Sequence, residues 1–172
     1  MGKLVQVATE TVTTPVSSVV LNGIDSDDVY MLAYTEANPS VNADNLAVRV
    51  NVSGTADTTS NYDYAYKNLI TNTTFGNLNS TNNTKWDSSA FGNNATTGKG
   101  SGIYYLYNLY NASEYSFVTV ETINEYANTT IYRGQQGGGV HTVAQSCNGV
   151  TVLFPAGNIN AGTFTLYRQV GS

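Results

Sequence analysis

The side chains with the greatest chemical reactivity in this sequence are few and isolated. His141 is its only histidine, and Cys147 is its only cysteine. A serine triad needs a histidine close to a reactive serine, and the chain has no G-x-S-x-G sequence to present one. Cys147 lies in the turn-like sequence SCNG, without a basic neighbour that would lower the pKa of its thiol. We therefore predict that neither residue is catalytic and that the chain is not an enzyme.

Two further stretches resemble ligand-binding sequences but lack essential parts. Residues 92–100 read GNNATTGKG, with five residues between the glycines where a phosphate-binding loop has four, and with Gly100 in place of the magnesium-binding hydroxyl. Residues 25–28 read DSDD, which offers oxygen ligands for calcium but is also common in a solvated turn. One histidine and one cysteine are too few for a structural zinc site. We predict no cofactor and no resident metal, and leave calcium at residues 25–28 as the alternative.

The charge of the chain argues against two classes of partner. Its formal net charge is −5, and its seven basic residues are scattered singly. A nucleic-acid-binding protein needs a basic patch to displace counterions from phosphates, and a membrane span needs roughly 20 apolar residues. We expect neither partner. The first residues lack the apolar core of a signal peptide and resemble a strand, so we expect synthesis in a host cytoplasm.

The amino-acid composition indicates an all-β protein, whose strands and turns must position the side chains described above. Only 11% of residues are charged, against about 25% in an ordinary domain, while the chain has 23 threonines, 21 asparagines, 16 glycines and 13 tyrosines. Threonine and tyrosine favour strands, and asparagine and glycine favour turns. We predict one domain over residues 1–172, an all-β antiparallel β-sandwich that is jelly-roll-like. Its predicted strands are 3–11, 18–21, 29–34, 46–52, 62–67, 103–110, 115–123, 129–133, 140–144, 150–154 and 163–169.

Two connections carry specific expectations. The glycine-rich residues 135–139 are predicted to form a turn. Residues 71–101 are predicted to form one long polar loop that contains Phe75, Trp86 and Phe91. These aromatic side chains either fix the loop onto its own sandwich or anchor it on another chain, as tryptophan does at interface centres. Both alternatives remain open.

The segment from Ile103 to Tyr110 has aromatic or aliphatic residues on both predicted faces. Its sequence IYYLYNLY places Tyr105 and Tyr107 on one side of the strand and Tyr104 and Tyr110 on the other. One face packs inside the sandwich. The other is covered either by a neighbouring chain, for which tyrosine is well suited, or by the long loop folded back over it.

Four short segments of this chain resemble sequence motifs that are shared by a diffuse family of small structural proteins of tailed phages. They are an early I-x(3–5)-Y-x-L strand at residues 24–32, an L-x-[VL]-R-[VF]-N strand at 46–51, an N-Y-x-Y sequence at 61–64 and a closing G-x-[FI]-x-L-Y-[GR] strand at 162–168. Arg168 stands where the closing motif usually ends in glycine. The resemblance implies a non-enzymatic protein on the virion surface.

The resemblance leads to the following expectations for function and partners. The chain is predicted to be a capsid decoration (cement) protein, a homotrimer that binds the major capsid protein. The alternatives are a receptor-binding tail-fibre or tail-tip protein and a carbohydrate-binding β-sandwich module with a glycan receptor. The candidate interface residues are Phe75, Trp86, Phe91, Tyr104, Tyr105, Tyr107 and Tyr110.

Overall fold

The computed structural model describes residues 2–171 and confirms the all-β prediction. These residues contain thirteen strands and no helix. The strands are β1 (Lys3–Val12), β2 (Ser18–Asn22), β3 (Tyr30–Pro39), β4 (Asp44–Val52), β5 (Thr55–Ala56), β6 (Tyr62–Ile70), β7 (Gly76–Asn83), β8 (Trp86–Phe91), β9 (Gly100–Tyr107), β10 (Ser116–Tyr126), β11 (Ile131–His141), β12 (Gly149–Leu153) and β13 (Ile159–Val170).

The strands form two antiparallel sheets that pack as a sandwich. The larger sheet has eight strands in the order β1-β13-β3-β9-β10-β11-β6-β7. The smaller sheet has the order β2-β12-β4-β5, and β8 pairs with β4 beside β5. This arrangement is an antiparallel β-sandwich and is compatible with a jelly-roll-like fold.

Alternation along the strands determines which side chains enter the core. In β10, Val118 and Val120 are buried while Phe117 and Ile123 point outward and are exposed. β6 follows the same rule with its inward tyrosines, of which Tyr62 is fully buried. Because successive residues of a strand point to opposite faces, these patterns fix one outer face for the larger sheet.

The turn predicted at residues 135–139 is wrong, because these residues lie in the middle of β11. The strand pairs with β10 on one side and β6 on the other along this whole stretch. Its glycines are needed for close packing. A Cβ atom on Gly137 would lie 2.7 Å from Tyr66 Cα, and one on Gly139 would lie 2.8 Å from Trp86 Nε1. Glycine here leaves room for the neighbouring strand β6 at Gly137 and for Trp86 of the other layer at Gly139, and it does not mark a turn.

The long polar loop predicted over residues 71–101 is also wrong. This stretch contains β7, which extends the larger sheet beside β6, and β8, which joins the smaller sheet beside β4. The sequence of β7 is GNLNSTNN, which has almost no strand-forming residues. Its strand conformation comes from pairing with β6, an example of tertiary context overriding local preference.

Trp86 at the start of β8 connects the two sheets. Its side chain is fully buried and packs edge-on against Tyr62 of β6, with 5.2 Å between ring centroids. Its indole Nε1 donates a hydrogen bond to the carbonyl oxygen of Val140 in β11 at 3.3 Å. The tryptophan thereby fixes β8 against the inner side of β6 and β11.

Amide side chains bind the rest of β8 to the larger sheet. The backbone N–H of Ser89 donates to Gln135 Oε1 at 2.6 Å, and Gln135 Nε2 donates to Asn68 Oδ1 at 2.9 Å. Asn124 Nδ2 donates to the carbonyl oxygen of Ala90 at 2.8 Å. These bonds satisfy buried polar groups between the two sheets, where an unpaired group would be costly.

Replacing Trp86 by alanine is expected to destabilise the monomer. Loss of a buried aromatic side chain typically costs about 3–5 kcal/mol of unfolding free energy. Urea denaturation followed by circular dichroism measures this loss. Phe75→Ala is the control, because Phe75 is 66% exposed and its removal should change stability little. An unchanged stability of Trp86→Ala together with a smaller assembly mass would instead make Trp86 an interface anchor.

Candidate functional site

The structure divides the seven candidate interface residues into two groups. Trp86, Phe91 and Tyr104 are fully buried within the chain, so their assignment as interface residues is wrong. Phe91, for example, packs edge-on against Phe154 of the same chain, with 5.3 Å between ring centroids. The physical reason is that β8 is part of the sandwich and brings its aromatic residues into the core. The interface role of the other four residues, Phe75, Tyr105, Tyr107 and Tyr110, stays a prediction.

The two aromatic faces of β9 differ in burial. Tyr104 and Leu106 point between the sheets and are fully buried. Tyr105 and Tyr107 point to the outer face of the larger sheet and are only partly covered. The long segment predicted to fold back over this face lies elsewhere, in β7 and β8. Within the described residues, the outer aromatic face of β9 is therefore not covered by residues 71–101.

Three exposed apolar side chains of this outer face flank β11. We call the outward side chains of β10, β11 and β6 the β11 strip. In cross-strand register its rows are Phe117–Val140–Asp63, Thr119–Gly138–Ala65, Glu121–Gln136–Lys67 and Ile123–Gly134–Leu69. Ile123 is 48% exposed, Phe117 45% and Leu69 43%.

Small residues at the centre of the β11 strip make it concave. Gly138 and Ala65 form the floor of a shallow depression of about 490 Å³, with Phe117 and Val140 on its rim. Gly134 lies further along the strand, and a Cβ atom added there would have no neighbour closer than 3.5 Å. The strip therefore offers apolar side chains beside a groove into which another surface can fit.

Two charges of opposite sign lie in one row of the strip. Glu121 accepts a hydrogen bond from Gln136 Nε2 at 3.1 Å. On the other side of Gln136, Lys67 Nζ donates to Asn77 Oδ1 at 3.2 Å and lies 5.7 Å from the centroid of the Phe75 ring. The acid and the base are thus placed symmetrically on either side of β11.

The outer face of the smaller sheet has a different character. Thr151 Oγ1 donates to Asn51 Oδ1 at 2.6 Å, and Asn51 Nδ2 donates to Asn22 Oδ1 at 2.9 Å. Arg49 Nε donates to the carbonyl oxygen of Thr84 at 3.1 Å. These polar groups satisfy one another within the chain. The exposed apolar residue of this face is Val20, at 51%.

The single histidine belongs to a buried hydrogen-bonded pair. His141 Nε2 lies 3.1 Å from Asp57 Oδ2, and His141 Nδ1 is buried without a protein partner. Burial lowers the pKa of His141, and the nearby Asp57 carboxylate only partly offsets this effect. The neutral ring with its proton on Nε2 fits this site, because a second proton on Nδ1 would be buried without an acceptor.

Asp57 holds three segments of the chain together. Burial opposes its ionisation, but hydrogen bonds from Thr59 and Gln145 and the nearby His141 ring outweigh burial, so its pKa lies below the ordinary value. Gln145 Nε2 donates to Asp57 Oδ2 at 3.0 Å.

Cys147, close in sequence to Gln145, is fully buried, and burial raises the pKa of its thiol to about 11. A thiol in that state is protonated at neutral pH and a poor nucleophile.

The acidic turn at residues 25–28 is tied to the closing strand by Arg168. Arg168 Nε donates to Asp28 Oδ2 at 2.6 Å, and Arg168 Nη1 lies 3.3 Å from Asp25 Oδ1. Hydrogen bonds from Ser26 and then from Arg168 hold the pKa of Asp28 below its ordinary value. The carboxylates of Asp25 and Asp28 are therefore partnered by the Arg168 guanidinium group, which gives Arg168 a structural role.

Sequence reasoning missed the most exposed residues of the β11 strip. Phe117 and Ile123 lie in FVTVETI, whose alternation with Val118 and Val120 marks them as outward-facing. Tyr132 is 41% exposed in the same strip. The strip could not be assembled from sequence, because the glycine run that forms its centre resembles a turn.

Replacing His141 by glutamine is expected to flatten the dependence of stability on pH between about 7.5 and 5.5. Below the ordinary histidine pKa of about 6.5 the unfolded chain takes up a proton that the folded chain, with its lowered pKa, does not. Stability of the wild type should therefore fall as pH falls, by at most about 1.4 kcal/mol per pH unit from this residue. Glutamine keeps a donor for Asp57 but does not titrate. Chemical denaturation at several pH values measures both slopes, and equal slopes would contradict the assignment.

Within residues 2–171 no helix is long and apolar enough to cross a membrane. The same residues contain no cluster of three or more His, Cys, Asp or Glu side chains placed to hold a metal ion. Comparisons with protein-family models, with curated proteins and with solved structures find no match to this chain.

Proposed function

We propose that this chain is a non-enzymatic structural protein of a tailed-phage virion, a capsid decoration protein whose larger sheet is its assembly surface. The observation that carries the proposal is the contrast between the two outer faces. The β11 strip exposes the side chains of Phe117, Ile123 and Leu69, whereas Thr151 and Asn51 of the smaller sheet are buried and hydrogen-bonded to each other. Exposed apolar side chains gathered on one face are a feature of interaction sites in folded proteins.

The groups with catalytic potential have structural partners, which supports the non-enzymatic part of the proposal. His141 is paired with Asp57 beneath the surface, and the buried thiol of Cys147 has a raised pKa. Arg168 is engaged by the acidic turn. A general acid, base or nucleophile must reach a substrate, whereas these groups contact other residues of the same chain.

The virion setting is supported by the four phage-like segments, which lead into or lie in four paired strands. Residues 24–32 lead into β3, residues 46–51 lie in β4, residues 61–64 begin β6 and residues 162–168 lie in β13. In this proposal copies of the chain contact one another and the major capsid protein. The resemblance to small phage structural proteins gives the location, and the exposed strip gives the means of attachment.

A carbohydrate-binding module is the second candidate, favoured by the depression in the β11 strip. Its wall combines the aromatic ring of Phe117 with polar side chains of Asp63, Asn79 and Ser80. An aromatic ring beside hydrogen-bonding groups suits a sugar, which has apolar and hydroxylated surfaces. Binding on a glycan array that is lost in Phe117→Ala would favour this candidate over capsid decoration.

We expect the chain to be found in purified particles of the phage that encodes it. Mass spectrometry of gradient-purified virions should detect it in a fixed ratio to the major capsid protein, and immunogold labelling should place it on the capsid. The major capsid protein and a non-virion phage enzyme are the positive and negative controls. Absence from the particles would refute the proposal, and labelling confined to the tail would favour the tail-tip alternative.

A further inference from the structure

The β11 strip has the properties of a surface that fits its own copy. Two identical sheets that face each other across a twofold axis bring residue i of one copy opposite residue j of the other, and j opposite i. If the axis runs along β11, the outward residues of β10 in one copy lie opposite those of β6 in the other. This follows because β10 and β6 are the two neighbours of β11 in the sheet.

The charged row of the strip is complementary to its own copy in this arrangement. Glu121 of each copy lies opposite Lys67 of the other, since both are in register with Gln136. Facing sheets are separated by about 10 Å, a distance that a glutamate and a lysine side chain span together. Two opposite-charge contacts would form, related by the axis.

One apolar row fits the same geometry. Ile123 lies opposite Leu69, and both side chains are more than two-fifths exposed in the single chain. Thr119 lies opposite Ala65, while the outward residues of β11, including Gly134 and Gly138, face their own counterparts across the axis. In the last row Phe117 faces Asp63, whose carboxylate accepts a hydrogen bond from the backbone of Asn82 at 2.7 Å.

The area of contact is large enough for a stable pair. With the axis along β11, the strands from β9 to β7 of each copy overlap, five strands in all. Strands of about ten residues, at about 3.4 Å per residue and roughly 4.8 Å apart, make a face on the order of 800 Å². A standard protein interface buries roughly 800 Å² on each partner.

We propose that a second copy of this chain packs on the β11 strip about a twofold axis along β11, with Glu121 of each copy opposite Lys67 of the other. The inference rests on the proposed use of this sheet for assembly and makes it specific. It replaces the homotrimer expected from sequence, which depends on the resemblance alone, with a dimer whose contacts are defined. Tyr105 and Tyr107 of β9 lie at its edge, opposite β7 of the other copy.

Charge reversal tests the pairing directly. Sedimentation analysis of the wild type at low salt should give about twice the monomer mass of 18.4 kDa. Glu121→Lys places lysine opposite lysine at two symmetric positions. The dissociation constant of the dimer should therefore rise about tenfold or more. Lys67→Glu should act in the same way. The double variant Glu121→Lys, Lys67→Glu restores opposite charges and should recover the wild-type affinity.

A matched charge pair elsewhere on the chain provides the control. Lys99 Nζ lies 2.9 Å from Glu36 Oε2, outside the β11 strip, so Glu36→Lys changes the net charge equally but should leave the dimer intact. Circular dichroism verifies that each variant is folded. A monomeric or trimeric wild type, or a double variant no tighter than the singles, would overturn the pairing. The virion proposal would remain, because it is tested by detection of the chain in particles.

Discussion

The packing of Trp86 between the sheets is the interaction on which the rest of the structure depends. The indole occupies the space beneath β6 and β11, where Gly139 leaves room for it and Val140 accepts its hydrogen bond. A side chain at residue 139 would clash with the indole, so Gly139 and the position of Trp86 require each other. Gly134 and Gly138, on the opposite face of β11, leave its outer side open. Alternate glycines of one run thus serve the core packing and the candidate interaction surface.

The few charged side chains of the chain are used mainly to join segments that are distant in sequence. Asp57 connects the segment before β6 to His141 and Gln145, and Arg168 of the last strand holds the acidic turn before β3. In a chain with only 11% charged residues, polar contacts elsewhere depend on amides and hydroxyls. Those groups satisfy one another on the smaller sheet. Among residues 2–171, Phe117, Ile123 and Leu69 of the larger sheet are exposed, which is the physical reason to propose that face as the assembly surface.

The sequence was sufficient to predict the fold class and most strands, because strand alternation and turn composition are local properties. It was insufficient for β7 and β11. The polar sequence of β7 becomes a strand only through pairing with β6, and the glycines of β11 are explained only by Trp86 and Tyr66, which come from other parts of the chain. Phe91 and Tyr104 were assigned to an interface for the same reason: local sequence does not distinguish an aromatic residue of the core from one of the surface. The candidate strip could be found only after the register of three strands was known.

Cross-linking at residue 134 is the most direct test of the claim that the β11 strip joins two copies. Gly134 lies on the proposed axis, and a cysteine there is accommodated because its Cβ atom would have no neighbour closer than 3.5 Å. The native Cys147 is fully buried and should not react. A short bifunctional maleimide added to folded Gly134→Cys should give a covalent dimer in high yield, while Val20→Cys on the smaller sheet should give little. Failure of Gly134→Cys to cross-link, or equal cross-linking of both variants, would contradict the account.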